Sequence, residues 1–289
     1  MRFDTDHPFI LTATCDSRMG TTAAVATFLA SRRFYLMEMQ QFDDTTSESF
    51  FLRVKFCSVA GETVDMERLR TEFMNIAAAE KMTWQMYDTS ELPRVLIMVS
   101  KFDHCLEDLL YRKRIGELKM DVRAIVSNHP LLEPIANQHR IPYVYLPVTE
   151  ATKVEQESKL LNLIDSSRAE IVILARYMQI LSDELCAKLA GRAINIHHSF
   201  LPGFKGAKPY HQAYDRGVKL IGATAHFVTA DLDEGPIIEQ VVQRVDHGET
   251  PEMMVAVGRD SERQALSIAV RLAIERRVFL NGHRTVIFR

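Results

Sequence analysis

Hydrophobic and polar positions follow one repeating order over the first ninety residues. Short apolar runs predict four strands: Phe9–Thr14, Tyr35–Phe42, Ser49–Ser58 and Thr83–Tyr87. Apolar residues at helical spacing predict two helices: Thr21–Arg32 and Val64–Lys81. The resulting order, strand-helix-strand-strand-helix-strand, is the split βαβ arrangement. We therefore expect one domain over residues 1–88 and a linker over residues 89–93.

From Arg94 onward, short apolar runs rich in β-branched residues recur at longer intervals. They predict five strands: Val95–Val99, Val122–Val126, Tyr143–Leu146, Ile171–Leu174 and Ala193–Ile196. Helical patterns separate the first four: His104–Ile115, Leu131–Gln138 and Lys153–Ser167. Two late strands and a long helical region with a possible break at Gly258 follow: Ile221–Val228, Pro236–Val245 and Pro251–Leu280. Strands buried on both faces and separated by helices indicate an α/β domain with a doubly wound, mostly parallel sheet over residues 94–289.

Composition and charge are those of an ordinary globular protein. Hydrophobic residues make up 47% of the chain and charged residues 25%, and 35 basic against 38 acidic side chains give a net charge of −3. No polybasic surface is indicated, so nucleic acid is not expected as a partner. The four cysteines lie far apart, the N-terminus lacks a secretory pattern, and the apolar runs are too short to span a membrane. We therefore expect a reduced, soluble, cytoplasmic protein without a membrane partner.

The densest cluster of polar residues with catalytic potential is the segment 195–203, which contains Asn195 and His197. It begins in the predicted strand Ala193–Ile196, and open α/β sheets bind ligands at the carboxyl ends of their strands. A second polar segment, Asp231–Pro236, follows a later strand. An amide, an imidazole and a carboxylate are the groups that acyl transfer requires. The amide can stabilise an oxyanion, the imidazole can move protons, and the carboxylate can orient the imidazole or activate water.

These residue types alone do not distinguish a structural role from a catalytic one. An asparagine after a strand often turns the chain or caps a helix, and an aspartate in an Asp-Glu-Gly turn is usually solvated. A lone histidine is usually structural, and the adjacent His197 and His198 point in opposite directions along an extended segment. On spacing alone, both interpretations of Asn195 and Asp233 remain open.

Two long blocks of sequence resemble the formyltransferase fold, which glycinamide ribonucleotide transformylase and methionyl-tRNA formyltransferase share. The blocks are Asn-Ile-His-His-Ser-Phe-Leu-Pro at residues 195–202 and Gly-Ala-Thr-Ala-His-Phe-Val-Thr-Ala-Asp-Leu-Asp-Glu-Gly-Pro at residues 222–236. The Asn-x-His pair of the fold matches Asn195 and His197, and its aspartate matches Asp233, not Asp231. Within this superfamily the chain resembles the formyltetrahydrofolate deformylase family over essentially its whole length. Segments that carry this resemblance include residues 127–129, 153–157, 174–182 and 206–210.

The resemblance implies that the substrate is 10-formyltetrahydrofolate and that the products are formate, for one-carbon and purine metabolism, and tetrahydrofolate. It implies no cofactor and no metal. Asp233 is expected to activate or position the water, His197 to protonate the leaving nitrogen, and Asn195 to donate to the oxyanion. The pterin is expected to contact main-chain groups and apolar side chains of two loops, although core packing is the alternative for the apolar ones. The loop residues are Met178, Gln179, Ile180, Leu181, Thr229, Ala230 and Asp231.

The segment after the first strand of the second domain bears on the formyl acceptor. A transformylase that binds a nucleotide phosphate needs a glycine-rich loop there, because backbone amides must approach the phosphate closely. The chain has Ser-Lys-Phe-Asp-His-Cys at residues 100–105, without glycine and with the acidic Asp103. The basic C-terminal domain of the tRNA formyltransferase is not expected either, because the chain ends soon after its last predicted helix. Water is then the expected acceptor and hydrolysis the expected reaction. A folate-dependent formyltransferase and a non-catalytic folate-binding sensor are the alternatives.

Two further hypotheses concern histidine and lysine side chains. Formyl hydrolysis by a metal-bound hydroxide is chemically sensible. The residues that permit a metal are His197, His198, His211, His226 and Asp233, although no two of the histidines have the i, i+4 spacing of a helical zinc site. Lys205 and Lys208 could contact the anionic glutamate tail of folate, with solvated loop lysines as the alternative.

The N-terminal domain resembles an ACT domain, which has the ferredoxin-like order derived above. ACT domains of this kind open with Asp-Arg-Pro-Gly, whereas the chain has Ser-Arg-Met-Gly at residues 17–20. The missing acid and proline argue against small-molecule binding at this position. A dimerisation role remains, because ACT sheets commonly pair across subunits, and we therefore expect a homo-oligomer formed through these domains.

Overall fold

The computed structural model describes residues 2–201, 203 and 209–289. These residues form two compact units. The N-terminal unit contains the residues up to Leu92 together with residues 276–281 and 286–289, and the C-terminal unit contains residues 93–275 and 282–285. Lys205 and Lys208 lie outside the described residues.

The N-terminal unit is built on a four-stranded antiparallel sheet with the strand order β2-β3-β1-β4. Its first six elements are β1 (Phe9–Asp16), α1 (Thr21–Ser31), β2 (Tyr35–Asp44), β3 (Ser49–Cys57), α2 (Met66–Ala79) and β4 (Thr83–Asp88). The predicted strand-helix-strand-strand-helix-strand order is confirmed. Apolar residues of α1 and α2, such as Phe28 and Phe73, pack with Leu11 and Leu52 into a core on one face of the sheet.

The other face of this sheet is covered by the C-terminal residues of the chain. A hairpin of β12 (Val278–Asn281) and β13 (Arg284–Ile287) places Phe279 and Phe288 against Phe51 of β3. Residues 276–281 and 286–289 therefore belong to the N-terminal unit, although the sequence pattern predicted them in the C-terminal domain. The predicted helix through Leu280 is wrong at its end, because the helix stops at Ile274 and the remaining apolar residues pair as strands.

The C-terminal unit is an α/β unit with a seven-stranded sheet in the order β11-β10-β9-β8-β5-β6-β7. Its strands are β5 (Arg94–Val99), β6 (Asp121–Ser127), β7 (Tyr143–Tyr145), β8 (Ile171–Leu174), β9 (Ala193–His197), β10 (Leu220–Phe227) and β11 (Ile237–Arg244). Five adjacent strands, β9 to β7 in sheet order, are parallel, and only β10 and β11 run antiparallel to their neighbours among the described strands. The predicted mostly parallel sheet is confirmed.

Helices cover both faces of this sheet, which is why β5 and β8 are almost entirely apolar and buried. The helices are α3 (His104–Arg114), α4 (Glu133–Gln138), α5 (Lys153–Ser167), α6 (Asp183–Lys188), α7 (Pro209–Asp215) and α8 (Pro251–Ile274). The sequence analysis missed the short α6 and α7. Gly258 does not break α8, and it lets Tyr210 pack against the helix, since a Cβ at this position would collide with the Tyr210 ring. No helix among the described residues is both long and apolar enough to cross a membrane.

Candidate active site

The pairing of β9 with β10 sets the geometry of the candidate site. The antiparallel register places Asn195 opposite His226 and His197 opposite Thr224. Directly opposed residues on neighbouring strands have their Cβ atoms about 5 Å apart, so their side chains can interact. Two residues of the first polar segment thereby gain specific neighbours from β10.

The loop after β10 brings Asp233 to the same place. Gly235 lies so close to β10 that a Cβ would collide with the carbonyl oxygen of Phe227, and the amide of Phe227 donates to the carbonyl of Pro236 at 2.9 Å. Asp233 has a φ of 59°, in the left-handed region that aspartate tolerates better than most residues. This tight turn holds the Asp233 carboxylate over the end of β9.

His197 and Asp233 form a hydrogen-bonded pair. Nδ1 of His197 lies 3.2 Å from Oδ1 of Asp233, and both side chains are largely buried. Burial acts to raise the pKa of Asp233, but the hydrogen bond from His197 and nearby imidazoles outweigh it, so the pKa lies below its usual value. Nε2 of His197 is buried and has no hydrogen-bond partner among the described residues. When the ring is neutral, this atom carries the lone pair.

His226 connects Asn195 to this pair. Its Nδ1 lies 2.8 Å from the carbonyl oxygen of Phe227, which can only accept, so Nδ1 is the donor. Burial lowers the pKa of His226, which favours the neutral ring with an accepting Nε2. Nδ2 of Asn195 donates to this Nε2 at 3.3 Å, and the same Nε2 is 3.8 Å from Oδ1 of Asp233.

The contact between His226 and Asn195 was not predicted from the sequence, which indicated His226 only as a potential metal ligand. The strand register would have identified the contact, since His226 is the direct cross-strand neighbour of Asn195. That register could not be derived from the sequence pattern alone.

A set of hydrogen bonds fixes the segment that follows His197. Oγ1 of Thr224 donates to the carbonyl of Ser199 at 3.0 Å and accepts from the amide of Leu201 at 3.1 Å. The side-chain amide of Gln240 donates both to Oγ1 of Thr224 and to the carbonyl of Leu201. The chain is therefore held in place directly after His198, at Ser199 and Leu201.

His198 lies beside both His197 and Tyr210. The ring centroids of His197 and His198 are 5.1 Å apart, and those of His198 and Tyr210 are 6.4 Å apart. Burial and the nearby Arg176 guanidinium lower the pKa of His198 to about 4. This histidine is therefore neutral at neutral pH.

The first predicted folate-binding loop follows β8. Met178 and Ile180 are more than half exposed, whereas Leu181 is buried in the core beneath the sheet. Gln179, Ile180 and Leu181 line a small cavity, to which α5 also contributes. The amide of Met178 donates to Oγ of Ser100 at 3.0 Å, so this main-chain donor is already engaged. Leu181 is therefore a core residue, whereas Met178 and Ile180 are not part of the core.

The second predicted loop, Thr229–Asp231, leads into the turn that carries Asp233. Oγ1 of Thr229 donates to the carbonyl of Asp231 at 3.0 Å, and the amide of Glu234 donates to the same carbonyl at 3.3 Å. Ala230 and Asp231 are exposed. The structure therefore places this loop directly before the His197–Asp233 pair.

The histidines of the metal hypothesis are not all in one place. His197 and His226 converge on Asp233, but His211 is exposed on α7 and has Glu252 among its charged neighbours. A different group has potential ligand atoms within 4.8 Å of one another in the described part of the chain. It consists of His104, Cys105 and Glu262.

Comparisons with known proteins match the sequence of this chain to formyl transferases and formyltetrahydrofolate deformylases. The sequence profile of the formyl transferase family matches residues 93–270. The formyltetrahydrofolate deformylase of Corynebacterium sp. strain P-1 is 49% identical over 280 residues, which span 97% of this chain and 98% of that protein.

Solved structures match in the same way. The crystal structure of formyltetrahydrofolate deformylase from Burkholderia mallei has a TM-score of 0.94 and 57% identity, covering 98% of this chain and all of that chain. Glycinamide ribonucleotide transformylase 1 from Symbiobacterium toebii has a TM-score of 0.65 and 28% identity, covering 70% of this chain and 97% of that chain. The transformylase likeness is thus limited to part of the chain.

Proposed function

The chain belongs to the formyltetrahydrofolate deformylase family, and on that premise we propose that it hydrolyses 10-formyltetrahydrofolate to formate and tetrahydrofolate. The observation that carries the mechanism is the convergence of Asn195, His197 and Asp233 at the end of β9. An amide donor, an imidazole and an ionised carboxylate within one hydrogen-bonded group are the components that amide hydrolysis requires.

The carboxylate of Asp233 accepts a proton from the attacking water. Its oxygen Oδ1 is held by Nδ1 of His197, and its lowered pKa keeps it ionised at neutral pH. As the water oxygen bonds to the formyl carbon, the Asp233–His197 pair takes up the water proton. When the C–N bond breaks, the pair returns this proton to the leaving nitrogen, which departs as a neutral amine of tetrahydrofolate. The second product is formic acid, which loses its proton to solvent and becomes formate.

Asn195 stabilises the negative charge that develops on the formyl oxygen. A primary amide has two N–H donors, and one of them is directed to Nε2 of His226. This contact fixes the rotation of the amide and leaves the second donor for the oxyanion. Preorganised donors of this kind contribute about 10²–10³ in rate.

The folate heterocycle binds against the two loops beside this group. Exposed Met178 and Ile180 offer an apolar surface, which solvent would otherwise contact. Gln156, whose buried Oε1 has no partner among the described residues, lines the same cavity as Gln179 and offers an acceptor to a ring N–H. Thr229, Ala230 and Asp231 complete the contact through main-chain groups.

The proposal also covers the assembly, the location and the cofactor requirement of the protein. The N-terminal unit is an ACT-like domain through which the chain forms a homo-oligomer; its split βαβ topology and the half-exposed Tyr35 and Phe42 on the edge strand β2 support this role. The protein acts in the cytoplasm, in keeping with four free cysteines, and supplies formate to purine metabolism. Its reaction needs neither a cofactor nor a metal.

Measuring binding and turnover with the same purified protein separates an enzyme from a folate-binding sensor. The proposed function predicts both tight binding of 10-formyltetrahydrofolate and catalytic release of formate. Binding without release of more than one formate per chain would identify a sensor instead.

A further inference from the structure

A buried carboxylate that the proposed mechanism does not use lies beside the candidate site. Glu262 is on α8, and only 2% of its surface is exposed. Despite the burial, which acts to raise it, the pKa of Glu262 is lowered by a hydrogen bond from His104 and by the nearby Arg176. The side chain is therefore an anion within the protein.

Three side chains from three other segments hold this anion. Nε2 of His104 lies 2.8 Å from Oε2, and the hydroxyl of Tyr210 donates to Oε1 at 3.1 Å. Nε of Arg176 lies 3.4 Å from Oε2. Gly258, one turn earlier on α8, gives Tyr210 the space for this contact.

The anion lies at a place in the fold where open α/β proteins commonly bind anionic groups of ligands. β5 and β8 are adjacent in the sheet, and the chain leaves them toward opposite sides, so the crevice beyond their carboxyl ends is the topological switch point. His104 is the first residue of α3, which follows β5, and Arg176 follows β8. Helix N-termini at such positions attract anionic groups of ligands. Here the protein's own carboxylate is hydrogen-bonded to the side chain of His104, the first residue of that helix.

Arg176 has hydrogen-bonding capacity beyond the contact with Glu262. Its side chain is 10% exposed, and Nε and Nη1 are buried without a hydrogen-bond partner among the described residues. Its φ of 65° lies in the left-handed region, which is strained for arginine. A guanidinium held in this way would bind an oxyanion from outside if Glu262 did not neutralise it.

We propose that Glu262 determines the acceptor specificity of the reaction by occupying the anion position that a phosphate-bearing formyl acceptor would need. This role rests on the proposed function, since it explains why water and not an anionic amine takes the formyl group. His198 lies next to both the catalytic His197 and Tyr210, so a single residue separates the Glu262 cluster from the catalytic pair. Specificity of this kind comes from a repulsive charge against the wrong partner.

A metal at the same cluster is disfavoured by its charges. His104, Cys105 and Glu262 have suitable atoms, but Oε2 of Glu262 already accepts from His104 and pairs with the positive Arg176. Burial and the Glu262 charge raise the pKa of Cys105 well above its usual value, so the thiol is protonated. A cation would have to displace both contacts and lie next to a guanidinium.

The test is titration of purified proteins with inorganic phosphate by calorimetry at constant ionic strength. Glu262→Ala removes both the charge and the side chain, so we expect phosphate to bind at least tenfold more tightly than to the wild type. Glu262→Gln keeps the shape of the side chain and the hydrogen-bond acceptor for Tyr210, and it removes only the charge. It is therefore expected to fold even if the alanine variant does not. We expect it to bind phosphate several-fold more tightly than the wild type does. The double variant Glu262→Ala/Arg176→Met is the control, and it should lose the gained affinity.

Formate release by the wild type, measured alongside, separates this role from the proposed function. Wild-type formate release together with phosphate affinities in both single variants no higher than in the wild type would overturn the role of Glu262 and leave the hydrolase intact. Absence of formate release would overturn the hydrolase, while the phosphate titration would still decide whether Glu262 occupies an anion site. Glycinamide ribonucleotide in place of phosphate should slow formate release by Glu262→Ala and not by the wild type.

Discussion

Nδ1 of His197 lies 3.2 Å from Oδ1 of Asp233 and gives it a hydrogen bond. The two residues come from different structural elements, a buried strand and the turn after the next strand. The contact ties the imidazole to one orientation and lowers the pKa of the carboxylate.

Replacing Asp233 by asparagine should remove catalysis without removing substrate binding. The change is nearly isosteric and takes away only the negative charge and the basicity of the side chain. We expect formate release to fall by a factor of about 100 or more, and folate affinity to stay close to that of the wild type. Initial rates and a binding titration on the same preparation measure both effects.

The matched control is Glu234→Gln, which neutralises the next residue of the same turn. Glu234 is exposed and is not part of the His197–Asp233 pair, so its variant should keep nearly normal activity. If Asp233→Asn retained more than about a tenth of wild-type activity, Asp233 would not have the assigned role.

Replacing His226 by leucine should lower turnover by about tenfold to a hundredfold, because Asn195 loses the contact that fixes its amide. The effect should appear in kcat and leave KM nearly unchanged, since the folate loops are untouched. Glutamine, which can accept from Asn195, should restore part of the rate. A loss confined to KM, or no rescue by glutamine, would show that His226 does not act by orienting Asn195.

The stability of the protein should fall as pH drops from 7 to 5. The pKa of His198 is about 4 in the folded chain against an ordinary value of 6.5, and the pKa of His226 is lowered as well. A group with a depressed pKa contributes stability that is present above its unfolded pKa and is lost as protons bind the unfolded chain. For His198, protonation of the unfolded chain lowers the free energy of unfolding by roughly 2 kcal/mol by pH 5.

Urea denaturation of the wild type and of His198→Asn at both pH values measures this contribution. The variant should lose less stability between pH 7 and pH 5 than the wild type does. Asp233 does not affect the comparison. Because its pKa is lowered from the usual value of 3.8, the stability that its ionised form contributes is lost mainly below pH 3.8, outside the measured range. Equal losses in the two proteins would mean that His198 is not a buried neutral group.

Dialysis against EDTA should leave the rate of formate release unchanged. The carboxylate of Asp233 is hydrogen-bonded to His197, and His211 is exposed on α7. Loss of activity on chelation, with recovery on adding zinc or iron, would require the histidines to be reinterpreted as ligands.

The sequence predicted those parts of the structure that depend on local pattern. Apolar runs such as Val95–Val99 and Ile171–Leu174 indicated buried parallel strands, and the mostly parallel sheet of the C-terminal unit followed from them. The C-terminal hairpin was missed, because Val278–Asn281 continues the apolar pattern of α8 and the contact with Phe51 is remote in sequence. Asn281-Gly282, with Gly282 at a φ of 60°, was the local turn signal.

The candidate site was predictable in its residue types but not in its connections. Asn195, His197 and Asp233 were identified from their chemistry and from the resemblance to formyltransferases. His226 needed the β9–β10 register, and the Glu262 cluster draws on four separate segments with no periodicity in common. Contacts between distant segments depend on tertiary packing, which the spacing of residues in sequence does not determine.

Transfer of the formyl group to water is the central claim, and isotopic oxygen tests it most directly. Purified protein is supplied with 10-formyltetrahydrofolate in ¹⁸O-labelled water, with and without glycinamide ribonucleotide, and both formate and formylated ribonucleotide are followed by mass spectrometry. Hydrolysis predicts formate carrying one solvent oxygen, released over many turnovers at the same rate in both reactions. Formylated ribonucleotide appearing at a rate comparable to formate, or formate without solvent oxygen, would contradict the assignment.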